Sequence, residues 1–200
     1  MGKVKILPLR GKQAQDYIPA LAKLRIEVFR DFPYLYDGGT EYEENYLRTY
    51  IESPDSVIVL AMDGDKVVGA STALPMRDET VEFQRPFLGQ GYDIKRIFYF
   101  GESVLQKPYR GQGIGVAFFN AREEHARKVG HFDLYCFCAV ERPVDHPLRP
   151  EGYKPLDGFW NHRGYIKHPE LTTVYKWKDI DQATETEKKM VFWLRNVGSE

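Results

Sequence analysis

The stretch Gln106–Phe119, reading Gln-Lys-Pro-Tyr-Arg-Gly-Gln-Gly-Ile-Gly-Val-Ala-Phe-Phe, constrains this chain more than any other. A dense apolar run precedes it and a helical pattern follows, so Gly111, Gly113 and Gly115 fall where a strand turns into a helix. Glycine there lets the backbone turn tightly and approach a ligand closely, and the first N–H groups of the helix have no acceptor within it. Such a turn suits an anion, most obviously a phosphate or pyrophosphate.

Two familiar phosphate loops fail on residue identity. The dinucleotide pattern G-x-G-x-x-G needs glycine at position 116, which is Val116. The Walker pattern needs G-K-[ST], which the stretch lacks. What remains, Arg110-Gly-Gln-Gly-Ile-Gly after a strand, resembles the acyl-CoA signature [Q/R]-x-x-G-x-[G/A] of the GNAT N-acetyltransferase superfamily, matched at Arg110, Gly113 and Gly115. The resemblance implies that backbone N–H groups of Gly111, Gln112, Gly113, Ile114, Gly115 and Val116 hold the pyrophosphate of acetyl-CoA. It also implies that the backbone of Val104 and Leu105, on the splayed strand before the motif, pairs with the pantetheine amides.

The element order agrees with that family over nearly the whole chain. Val4–Leu9 reads as a strand, Asp16 to about Phe29 as a helix, and Glu41–Glu52 as a second helix capped by Thr40. Ser56–Met62 and Lys66–Ala73 read as a hairpin about Asp63-Gly64-Asp65. Residues 76–95 read as a loop or lid, and Arg96–Leu105 as a central strand. A helix to Val129 stops at Gly130, and His131–Val140 is another buried strand. A proline-rich connection, a short helix over Leu156–His162 and two closing strands, Leu171–Lys178 and Lys188–Val197, complete the order. The expectation is one α/β domain over residues 1–200, with a mixed, mostly antiparallel sheet of six to seven strands, splayed central strands and about four flanking helices. Two exposed closing strands leave room for a homodimer through sheet edges.

A net charge of −1, with 28 basic and 29 acidic residues, gives no reason to expect capture of nucleic acid or an anionic membrane. No run approaches 18 apolar residues and the N-terminus has no signal-like core, so neither a transmembrane segment nor a signal peptide is expected. Cys136 and Cys138, two apart in one strand, suit free thiols and a cytoplasmic location. The five histidines show no ligand spacing on one element, and no metal is expected.

Direct transfer to an amine needs a group that removes the amine's proton and donors that polarise the acyl carbonyl. Glu102, a charge inside the apolar run Phe98-Tyr-Phe-Gly-Glu, is the best-placed carboxylate. Many family members carry a tyrosine acid in a pattern like F-Y-x-x-x-G-F. Here Phe159-Trp-Asn-His-Arg-Gly-Tyr165 puts Trp160 in its place, and an indole is no practical acid. His162, Tyr153 and Cys138 are the alternatives, and a thiolate also leaves without help from the protein. A covalent acyl-cysteine has no supporting motif. The expected activity is acetyl transfer from acetyl-CoA to a small-molecule or peptide amine in a ternary complex. The alternative is a non-catalytic acyl-CoA-binding module of the same fold.

Overall fold

A strand that is apolar at every position must be covered on both faces, and Val57–Met62 is such a strand. In the computed structural model, which describes residues 4–198, it is β2 (Val57–Asp63) in a seven-stranded sheet. The other strands are β1 (Lys5–Leu9), β3 (Lys66–Pro75), β4 (Ile97–Leu105), β5 (Leu134–Val140), β6 (Ile166–Trp177) and β7 (Thr186–Asn196). Their order is β1-β2-β3-β4-β5-β7-β6, with β4 and β5 parallel and every other neighbouring pair antiparallel. β7 therefore lies inside the sheet, and of the two closing strands β6 alone is an edge.

Alternation along the strands divides the helices between two faces. Val57, Val59, Phe98 and Phe100 pack with Ile114, Phe118 and Phe119 of α4 (Ile114–Val129) and with Phe159 and Trp160 of α5 (Asp157–His162). Ile58 and Leu60 pack with α1 (Ile18–Phe29) and α2 (Thr40–Glu52) on the opposite face. Ile97, Tyr99, Cys136 and Cys138 share that face with Phe83 and Phe87 of α3 (Val81–Gly89).

The helix α3 and a short 3-10 turn at Met76–Asp78 replace the expected loop, so among the described residues five α-helices flank the sheet where about four were expected. Phe83 and Phe87, four apart and buried, hold α3 down despite Pro86 within it. Several expected boundaries also move; β5 begins at Leu134 rather than His131, and β7 runs Thr186–Asn196 rather than Lys188–Val197. Gly39, in extended conformation, is the residue before α2, and Thr40 is its first helical residue with no capping bond. β6 begins five residues earlier than expected, with a break in register between His168 and Thr172.

Two irregularities in β4 shape the middle of the sheet. Its pairing with β5 covers only Ile97–Tyr99 against Leu134–Cys136, so the strands part beyond Tyr99. Its register with β3 shifts between Ser71 and Ala73, which face Ser103 and Phe100, so Gly101 and Glu102 bulge opposite Thr72.

Candidate active site

The glycine turn lies at the end of β4. Gly111 and Gly113 have φ of 75° and 81°, the left-handed region where a side chain is strained. A Cβ on either would meet nothing within 4 Å, so conformation rather than crowding demands glycine. Gly113 precedes α4, and the first bond into the helix runs from the Ala117 N–H to the Gly113 carbonyl. The N–H groups of Ile114, Gly115 and Val116 thus have no intrahelical acceptor, and they stand at the positive end of a 16-residue helix. Gln112 Nε2 donates to the Pro108 carbonyl at 2.9 Å and braces the turn. Arg110 folds back, donating from Nε to the Leu105 carbonyl at 3.1 Å and standing 3.7 Å from Asp31. This open, left-handed, donor-rich turn fits a pyrophosphate. Val104 and Leu105 lead into it; Val104 is fully buried, backbone included, and pairs with Ala70 of β3, so Leu105 is the one whose backbone turns toward the parting.

Where β4 and β5 part, a pocket of about 210 Å³ opens on the face carrying α1, α2 and α3. Its walls come from all three helices, from β4, β5, β6 and β7, and from the connection after α1. Tyr34, Tyr46, Phe83, Tyr99, Tyr175 and Trp177 make it strongly aromatic. Charge is concentrated on its floor. Arg25 Nη1 lies 2.7 Å from Glu102 Oε1, Arg25 Nε donates to Glu43, and all three side chains are at most 9% exposed. Burial alone pulls the Arg25 pKa down, but Glu102, Tyr46 and Glu43 outweigh it and hold it well above its ordinary value. The floor thus carries two carboxylates against one guanidinium.

The bulge aims Glu102 into this floor. Ser71 Oγ donates to the Glu102 carbonyl at 2.8 Å, and the Glu102 N–H donates to Thr72 Oγ1 at 3.2 Å. Gly101 is required beside it, since a Cβ there would stand 2.0 Å from Tyr50 Oη. Beyond Glu102 runs a row of oxygens. Tyr46 Oη lies 3.4 Å from Glu102 Oε2 and 3.1 Å from Tyr50 Oη, which lies 3.4 Å from Glu79 Oε1. Burial pushes the Glu79 carboxyl up to about 7 and raises both phenols well above their usual range.

The other candidates lie elsewhere. His162 is exposed at the end of α5, and Tyr153 packs edge-on against Phe32 at 4.7 Å; neither lines the pocket. Trp160 packs between Phe137 and Trp193, each at 5.0 Å. Cys138 does line the pocket, 3.3 Å from Tyr99 Oη, and burial pushes its thiol up to about 12, so it stays a neutral thiol. Among the described residues no cluster of three or more metal-ligating side chains occurs, and no helix is long and apolar enough to cross a membrane.

A sheet parted between its two parallel strands, with a glycine turn of free N–H donors at the parting and a carboxylate beside it, is the framework of an acyl-transfer scaffold. Residues 21–149 match the model of the Acetyltransferase (GNAT) family, and the chain belongs to that family of acyltransferases. Solved structures repeat the fold at low identity. NAA60 of Arabidopsis thaliana, solved in complex with acetyl-CoA, is 13% identical with a TM-score of 0.63, covering 98% of this chain and 100% of its own. The ribosomal-protein-alanine N-acetyltransferase of Brucella melitensis is 14% identical with a TM-score of 0.61, covering 96% of this chain and 99% of its own. An acetyltransferase of Thermus thermophilus is 13% identical with a TM-score of 0.56, covering 98% of each chain. A search of curated proteins finds no match.

Proposed function

We propose that the protein transfers the acetyl group of acetyl-CoA directly to the primary amine of a small, largely apolar or aromatic molecule, with Glu102 as the base. The observation that carries this reading is the position of Glu102, on the floor of an aromatic pocket and at the parting of β4 and β5. Walls from three helices and four strands favour a compact acceptor over an extended peptide. The floor favours a cation, because Glu43 Oε1 is buried with no hydrogen-bond partner among the described residues. Two free, buried cysteines accord with a cytoplasmic setting.

In this reading the N–H groups of Gly111–Val116 hold the pyrophosphate, and the β5-facing edge of β4 at Leu105 takes the pantetheine arm, with Val104 holding that strand to β3. Acetyl-CoA supplies a thioester whose carbonyl carbon forms the C–N bond as the C–S bond breaks. An ammonium has no lone pair, so Glu102 first removes one proton, which is the proton released overall. The second amine proton balances the departing thiol. No acid of the chain is needed for that sulfur, because a thiol's pKa of about 8.5 lets water protonate it.

Thiol release from acetyl-CoA, measured against arylalkyl amines, diamines and peptides, tests the reading. Arylalkyl amines are expected to be the best acceptors, and Glu102→Gln to lower kcat by on the order of a hundredfold with acetyl-CoA affinity retained. Wild-type turnover in that variant would remove Glu102 from the reaction.

A further inference from the structure

Glu79 follows the turn that joins β3 to α3, is 5% exposed, and forms no ion pair among the described residues. Its Oε2 accepts the Thr80 N–H at 2.6 Å, and its Oε1 faces Tyr50 Oη. Such a carboxyl is expensive to bury and serves no packing purpose that a glutamine would not. Its connection is the row Glu102–Tyr46–Tyr50–Glu79, whose three oxygen–oxygen gaps are 3.4, 3.1 and 3.4 Å.

Counting hydrogens shows what the row does. Three contacts share two phenolic hydrogens. If both carboxyls are ionised, both phenols donate outward and the two phenolic oxygens face each other with no hydrogen between them. One further proton fills every contact. With that proton on Glu102, each group donates toward Glu79; with it on Glu79, each donates toward Glu102. Reversing the three bonds therefore carries one proton from end to end, with no heavy atom changing place.

We infer that Glu79 stores the proton that Glu102 takes from the acceptor ammonium, delivered through Tyr46 and Tyr50. The inference rests on the reading of Glu102 as the base. Glu79 acts through Glu102 and touches no substrate, so it is a positioning residue for the proton. The balance is simple: Glu102 gains the ammonium proton and passes one to Tyr46, Tyr46 passes its own to Tyr50, and Tyr50 passes its own to Glu79. Glu102 returns to the carboxylate form, and Glu79 later releases the proton to water.

The groups facing Glu79 fit this use. Tyr50 of α2, Glu102 and Tyr99 of β4, Glu82 of α3, Cys138 of β5 and Tyr175 of β6 surround it, and none is a cation that would fix it as an anion. A carboxyl near 7 exchanges its proton readily at neutral pH, while the raised phenols stay protonated and only relay. Below that pH the row is already loaded and cannot accept the substrate's proton, so kcat should rise with pH through about 7.

The test compares the wild type with Glu79→Gln, Tyr50→Phe and the double variant. Each single variant is expected to lose kcat on the order of tenfold with the amine KM unchanged, to lose the limb near neutrality, and to match the double variant. Carboxyl carbon-13 resonances of the protein alone give a readout independent of turnover. One glutamate should titrate near pH 7, vanish in Glu79→Gln and move in Tyr50→Phe. No glutamate titrating near neutrality, or wild-type kcat and pH profile in both single variants, overturns the relay. Absence of amine-dependent thiol release by the wild type instead overturns the reading of Glu102 on which the relay stands.

Discussion

A single carboxyl makes this protein's stability depend on pH in an unusual direction. Glu79 is raised to about 7 by burial, against an ordinary value near 4.5. A raised carboxyl contributes stability that is fully present below the unfolded value and is lost as pH rises through the folded one. The expected loss between about pH 4.5 and pH 7 is on the order of 3 kcal/mol. Urea midpoints measured across that range should lose this fall in Glu79→Gln, where the buried His125, its pKa lowered, makes stability rise with pH instead. The glycines of the anion turn give a second prediction. Gly113→Ala places a methyl at a φ of 81°, costing about 1–2 kcal/mol locally. Relaxing that strain moves the donors at the start of α4, so coenzyme A affinity should fall about tenfold by calorimetry, with the amine pocket unaltered.

The elements show why some of this was legible in the sequence and some was not. The anion turn announces itself because Gly111 and Gly113 are needed for their own backbone angles, a local requirement. Glu102 announces itself as a charge in an apolar strand. Arg25 and Tyr46 meet it, and Tyr50 and Glu79 extend the row behind Tyr46, only through tertiary packing; apart from Tyr46 and Tyr50, four apart on α2, no spacing along the chain relates them. α3 itself was hidden by Pro86 inside it and by Gly89 and Gly91 around its end, although the pair Phe83 and Phe87 carried its signal. The Thr40 pattern pointed to the right turn of the right helix but one residue late. Strand β4 also yields a prediction. In Gly101→Ala a methyl would collide with Tyr50 Oη at 2.0 Å and Thr72 Oγ1 at 2.5 Å. Stability should drop by roughly 1–3 kcal/mol. Because Tyr50 must move, kcat should fall while coenzyme A binding holds, as titration calorimetry and steady-state rates would show.

Across the whole molecule, one arginine ties a wall of the pocket to the sheet. Arg142, just past β5, donates to the Pro33 and Tyr34 carbonyls at 2.7 Å and grips Asp179 with both terminal nitrogens, at 2.8 and 2.9 Å. Asp179 is fully buried and also stands 3.4 Å from Lys188. This joins the connection after α1, the end of β5 and the linker between β6 and β7, three parts of the chain that are far apart in sequence. Arg142→Lys keeps the charge and loses the planar fork. The amine KM should rise about fivefold, corresponding to roughly 1 kcal/mol of lost positioning, with no change in coenzyme A affinity.

The split between β4 and β5 has a kinetic consequence. The glycine turn belongs with α4 on one face of the sheet, and the aromatic pocket with α1, α2 and α3 on the other, so in the proposed reaction each substrate approaches the parting from its own side. On that reading neither substrate has to wait for the other to leave. Initial-rate plots should therefore intersect, coenzyme A should compete with acetyl-CoA alone, and an N-acetylated product should compete with the amine alone. Parallel lines would instead mean that coenzyme A leaves before the amine binds, with the acetyl group held covalently on the protein between the two steps.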